Sequence, residues 1–237
     1  VAEELNVLES GEYATLTKVT ETQYNANGQA GQTVTYNDNS YGEKEKLVET
    51  YKYGWEKDAY PGMADIHLLA PLVETRKINE TKGVITAITV TTYRKEWPAV
   101  STAGSWAPHK AYRWDGTPGT ETFDFAAWSG NGQPPAGWLK TSEVLAITVN
   151  GLQVESMNID NIHTSNLYDK TDRLKVAEFN DASLIGSEAG YYGFEEYENP
   201  GPWEIYPGSE PVNNYITTGD SYTGTRRLYL PGNPSRQ

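Results

Sequence analysis

Alternation of apolar or β-branched residues with polar ones, and not helical spacing, runs through most of the chain. From Tyr13, residues Ala14, Leu16 and Lys18 take one face of an expected strand and Thr15, Thr17 and Val19 the other. Residues 32–36 and 47–53 alternate in the same way, with Leu47, Glu49, Tyr51 and Tyr53 set against Val48, Thr50 and Lys52. Residues 72–78 and 84–93 read as a hairpin about Asn79-Glu-Thr-Lys-Gly83, and the second arm is the richest β-forming run in the sequence. Strands are expected again over 144–149, 152–159, 162–168 and 173–179. Between them lie Asn25-Ala-Asn-Gly28, residues 37–42, Asn150-Gly151, Asp160-Asn161 and Asp169-Lys-Thr-Asp172, all rich in residues that tolerate positive φ. Turns spaced at roughly 8–12 residues predict a continuing antiparallel meander.

Two stretches break the rhythm. Residues 54–71 predict a loop followed by one or two helical turns, with Met63, Ile66 and Leu69 at helical spacing, and this segment is expected to sit as a plug on the sheet. Residues 97–137 read as a long Gly- and Pro-rich loop carrying Trp97, Trp106, Trp114 and Trp128, with Trp138 just beyond. A loop of that length is functional or is ordered by its own side chains. Residues 1–8 fit a helical turn or a strand end equally well.

Composition sharpens the β reading. The chain of 237 residues holds 17 Tyr and 7 Trp beside 22 Gly and 13 Pro, a balance of strand formers and turn formers. Its net charge of -13 argues against nucleic acid and anionic membranes as partners. Without cysteine there is neither a disulfide framework nor a thiolate zinc site. No run approaches ~18 apolar residues, the length a membrane-crossing helix needs. Both ends of the sequence look like cuts through a longer polypeptide.

The Tyr168-Asp-Lys-Thr-Asp-Arg-Leu174 segment resembles the Y-D-x-x-G-R-L unit of Rhs/YD-repeat proteins, with Asp172 where glycine is usual. Tyr24-Asn-Ala-Asn-Gly-Gln29 and Val149-Asn-Gly151 look like degenerate copies. The segments 49–53, 67–75 and 176–182, the last followed by Gly193-Phe-Glu195, are similar to stretches of large bacterial Rhs-like surface proteins. The resemblance covers roughly residues 1–190. It implies strands that spiral into a large hollow β structure, in an extracellular or cell-surface protein whose partners are the remainder of its own chain or further copies. The self-cleaving core module and the toxin tail of that family are absent, so neither activity carries over.

A second resemblance begins at Gly193. Phe194-Glu-Glu-Tyr197, Trp203, Thr217-Thr-Gly-Asp-Ser-Tyr-Thr-Gly224 and Arg227-Leu-Tyr-Leu230 look like the opening strands of a carbohydrate-binding jelly roll. It implies a structural Ca²⁺ held by Glu195, Asp220 and the Gly224 segment, and no other cofactor. The expected organisation is therefore a YD-type β-meander over 1–182, a small-residue linker over 183–192 and an incomplete β-sandwich module over 193–237.

Catalytic chemistry finds little footing. His67, His109 and His163 lack metal-ligand spacing, and no nucleophile elbow or phosphate-binding loop occurs. A non-enzymatic structural segment is the expected function. The alternative is a carbohydrate-binding module using Trp106, Trp114, Trp128 and Trp138, against the competing reading that these rings staple a loop to the sheet. A glycoside hydrolase fragment is a third reading, resting only on the abundance of carboxylates.

Overall fold

The computed structural model describes residues 2–9, 12–38, 44–97, 106–117, 121–123, 136–169, 171–189, 204–205, 210–219 and 226–229. The fold is all-β and antiparallel. The chain divides into two compact units, Val1–Ile162 and His163–Gln237.

In the first unit, nine strands lie side by side in sequence order among the described residues. They are β1 (Ala2–Glu9), β2 (Glu12–Tyr24), β3 (Ala30–Asp38), β4 (Lys44–Tyr53), β5 (Leu72–Asn79), β6 (Val84–Arg94), β7 (Ala107–Trp114), β8 (Trp138–Ile147) and β9 (Gln153–Asn158). Every neighbouring pair is antiparallel. The undecided first residues are strand, and Ala2 pairs with Val19 through to Glu9 with Glu12.

The core sits over β5–β8. Tyr60, Met63, Val73, Ile88, Val90, Tyr112 and Trp138 are buried together. Burying a large apolar side chain stabilises by about 1.5–3 kcal/mol. Segment 54–71 supplies Tyr60 and Met63, so it does plug the sheet. It is not helical, however. A 3-10 turn (Gly54–Glu56) leads into successive tight turns. Met63 is fully buried while Ile66 is 59% exposed, so the helical spacing of those two residues does not translate into a shared face. Hydrogen bonds to Gln29 of the β2–β3 turn and one backbone bond across its own ends fix the plug. Gln29 Nε2 donates to the Leu69 carbonyl at 2.6 Å, Trp55 Nε1 donates to Gln29 Oε1 at 3.1 Å, and the Gly54 N–H donates to the Pro71 carbonyl at 2.8 Å.

The 97–137 stretch is also corrected. It is interrupted by a full strand, β7, which joins β6 to β8 in the sheet. Its period-2 signal is weak because the register shifts on both sides of it, between Thr91 and Tyr93 on β6 and between Ala111 and Tyr112. Pro108 lies beside the first shift, where a missing N–H is tolerated. A second small cluster joins Trp97, Ala107 and Ile147 with Val144 packed against it.

In the second unit, β10 (His163–Tyr168) and β11 (Lys175–Asn180) form a hairpin. The short strands β12 (Glu204–Ile205) and β13 (Glu210–Pro211) pair with each other, as do β14 (Ile216–Thr218) and β15 (Arg226–Leu228). The expected 183–192 linker falls within this unit. Ser183 is buried, its Oγ accepts the Gly186 N–H at 2.7 Å, and the Leu184 N–H donates to Ser165 Oγ at 3.2 Å.

Candidate functional site

One local construction recurs along the meander and is built from side chain upward. At residues 25–29, the Asn25 N–H donates to the Gln29 carbonyl at 2.8 Å and the Gly28 N–H donates to the Asn25 carbonyl at 3.0 Å. The Asn25 Oδ1 then accepts the N–H groups of Asn27 and Gln29, both at 3.0 Å. Gly28 takes φ 74°, the left-handed region that lets the loop return to its partner strand. A type I turn closed by a left-handed fourth residue is a standard hairpin connection, and its bulge adds right-handed twist.

Residues 148–152 repeat this with a hydroxyl in place of the amide. Thr148 Oγ1 accepts the N–H groups of Asn150 and Leu152, both at 3.2 Å, and Gly151 has φ 80°. Residues 158–162 repeat it again, with Asn158 Oδ1 accepting the Asp160 and Ile162 N–H groups at 2.9 and 3.0 Å and Asn161 at φ 60°.

The fourth instance is Tyr168-Asp-Lys-Thr-Asp-Arg-Leu174, one residue longer. Asp169 Oδ1 accepts the N–H groups of Arg173 and Leu174 at 3.0 Å each, and Thr171 Oγ1 donates to the same carboxylate at 2.7 Å. These donors favour the ionised form, with the Arg173 and Leu174 amides contributing most, and hold the Asp169 carboxyl at about 2. Asp172, where the YD unit has glycine, adopts φ 53°. A short polar side chain is the usual substitute for glycine there. Register shifts accompany the turns at Gln23/Tyr24, Ala146/Ile147 and Leu167/Tyr168.

Sequence reading located all four turns but not their acceptors. Thr148 and Asn158 sit at the strand ends and look like ordinary strand residues. The signal that finds them is a side-chain acceptor three positions before a Gly, Asn or Asp. No family model, curated protein or solved structure matches this chain.

The tryptophans named as ligand-binding candidates lie in and around the core. Trp138 is buried, with its Nε1 donating to the Thr122 carbonyl at 3.0 Å. Trp114 meets Trp138 edge-to-face at 5.2 Å between ring centroids, and Phe123 meets it from another side at 5.1 Å. Trp106 packs edge-to-face on Tyr60 at 5.4 Å. Trp114 covers two glycines, and a Cβ at Gly137, which has φ 91°, would fall 2.5 Å from its ring. Trp128 and the proposed calcium ligands Glu195, Asp220 and Gly224 lie outside the described residues. Among the described residues, no group of three or more His, Asp or Glu is arranged to hold a metal ion.

One concentration of charge accompanies the sheet. Glu143 on β8 faces Lys110 at 3.7 Å, His109 Nε2 at 3.6 Å and Lys140 at 2.5 Å. Burial pushes the Glu143 carboxyl up, but the Lys140 hydrogen bond and the Lys110 and His109 charges outweigh it, and the net effect is downward. His109 and Lys110 are both buried, and Trp97 stacks edge-on against the His109 ring at 5.7 Å. A carboxylate held in its charged form among cations is suited to locking strands together and poorly suited to proton transfer near neutral pH.

Proposed function

We propose that this chain is a non-enzymatic structural segment of a large extracellular protein of the Rhs/YD-repeat kind, extending a β surface against the remainder of its own polypeptide or against further copies. The observation that carries the reading is the turn that recurs at 25–29, 148–152, 158–162 and 169–174, each closed by the side chain of its first residue. A chain that reuses one self-closing hairpin unit adds strands in sequence order with no long crossover, and each new strand covers the open edge of the last. Two further features support it. Among the described residues β1 pairs on one side only, leaving an eight-residue edge suited to strand addition. The polar cluster at Glu143 ties β7 and β8 together through one carboxylate shared by Lys110 and Lys140.

Sedimentation and negative-stain electron microscopy of the purified chain test this. Concentration-dependent side-by-side association into sheets, filaments or shells is the expected outcome. A hydrolytic activity that disappears when two neighbouring carboxylates are replaced would overturn the proposal.

A further inference from the structure

Strand addition at β1 needs a partner strand, and the residues of that edge specify its chemistry. β1 is bonded to β2 on one side, and among the described residues no strand pairs with its other side. Backbone N–H and C=O groups along an eight-residue strand therefore form a template for another chain. Exposed edges are ordinarily blunted by lysine, proline or a bulge. β1 has none of these. Its sequence AEELNVLE holds no Lys, Arg or Pro, and its register with β2 runs unbroken from Ala2 opposite Val19 to Glu9 opposite Glu12.

The edge carries acid instead. Glu3 stands opposite Lys18, but Glu4 stands opposite Thr17 and Glu9 opposite Glu12. Over the paired lengths of β1 and β2, Glu3, Glu4, Glu9 and Glu12 are set against the single cation Lys18. Opposite charges directly across an antiparallel pair stabilise it, and like charges there destabilise it. Two β1 edges laid together would bring six glutamates to one seam with no lysine or arginine, so β1 is a poor partner for itself. The sheet has no free basic strand to offer either. β4, with Lys44, Lys46 and Lys52, and β5, with Arg76 and Lys77, are paired on both sides. At the opposite edge β11 has one lysine, Lys175, and it is bonded to Glu178.

We infer, on the strength of the strand addition proposed above, that the β1 edge is completed by an extended basic segment of a separate protein, with lysine or arginine at the positions opposite Glu3, Glu4 and Glu9. The main-chain ladder supplies affinity in such an addition, and the side chains at each register position supply specificity. Antiparallel addition over Ala2–Glu9 sets the first residue of the incoming segment against Glu9, and its sixth and seventh against Glu4 and Glu3. The positions between them meet Leu5, Asn6, Val7 and Leu8, where β-branched residues suit a strand.

The test is titration of the dilute, isotope-labelled chain with the peptide Lys-Thr-Val-Thr-Val-Lys-Lys-Thr, read by amide shifts and amide exchange. One comparison peptide has glutamate in place of each lysine. Another keeps the lysines but is N-methylated on its central Val-Thr-Val residues, which removes ladder donors and leaves the charge. The basic peptide is expected to shift and protect amides of β1 with a Kd on the order of 0.1–1 mM, weakening with added salt. Combining Glu3→Gln with Glu4→Gln should weaken it about fivefold, the loss of two cross-strand charge pairs. The N-methylated and acidic peptides should each bind at least about tenfold more weakly. No change at β1 up to about 5 mM basic peptide, or equal binding of the N-methylated peptide, would overturn strand addition at this edge. Equal binding of the acidic peptide, or no effect of the paired glutamine variant, would overturn the basic partner. Self-association of the chain without binding of the basic peptide would leave the assembly proposal standing and overturn this one.

Discussion

The β5–β8 block and the β2–β4 wing belong to one antiparallel meander, yet they are stabilised differently. In the block, five side chains of the strands close into a core with Tyr60 and Met63 of the plug, and burial pushes the Tyr60 and Tyr112 hydroxyls up to about 12. In the wing, Val34 and Val48 are the buried hydrophobic residues among those described, and the remaining strand positions are half-buried or exposed on both faces. Tight turns set the register only where consecutive strands are directly joined, as at β2–β3 and β8–β9. Burial decides how firmly they hold. A two-faced polar sheet folds with little core of its own when it continues a well-packed neighbour, and it leaves its surface open for binding or for a further layer.

The largest test of that contrast is Tyr60→Ala. It removes a ring that packs edge-to-face on Tyr93 and Trp106 and accepts the Tyr93 N–H at 3.2 Å. A loss of about 3–5 kcal/mol is expected from denaturant unfolding, against about 1.5–2 kcal/mol for Val48→Ala in the wing. Equal losses would mean that the plug does not anchor the sheet. Glu143→Gln removes the charge shared by His109, Lys110 and Lys140 and should cost about 2 kcal/mol, below the usual range for a broken buried pair because Glu143 keeps some solvent contact. Replacing the β8 carboxylate should also raise exchange at β7 and β8 while sparing β2–β4.

The turns give smaller effects. Asn161→Gly relieves a left-handed backbone and should stabilise by up to about 1 kcal/mol. Asp169 has its carboxyl lowered from 3.8 to about 2, so its contribution is present above pH ~4 and is lost as pH falls from there toward 2. The β10–β11 hairpin should loosen over that interval in amide exchange. In Asp169→Asn that pH dependence should vanish.

Much of this was legible in the residues and some was not, for physical reasons. Period-2 runs and Asn-Gly or Asp-containing turns located β2 through β6 and β8 through β11, because those strands keep one regular face or end in residues with positive φ. β7 was hidden by Pro108 and two register shifts that erase its alternation. Met63 and Ile66 suggested a helical face because spacing carries no information about tight turns that reverse every few residues. The abundance of tryptophan was visible, but whether Trp114 and Trp138 face solvent or each other depends on a strand pairing 24 residues apart in sequence. A shallow groove of about 330 Å³ across β2–β6 was invisible for the same reason. Lys18, Thr35 and Leu47 belong together only once three strands are in register.

The most direct measurement is native-state hydrogen exchange on the chain alone, at two protein concentrations roughly a hundredfold apart. Amides of β5–β8 should exchange only through global opening at both concentrations. Amides of β1–β4 should exchange much faster when dilute and slow markedly when concentrated, as their open edge and faces gain neighbours. Protection in β1–β4 as high as in β5–β8 and independent of concentration would contradict the account, because the wing would then be complete without a partner.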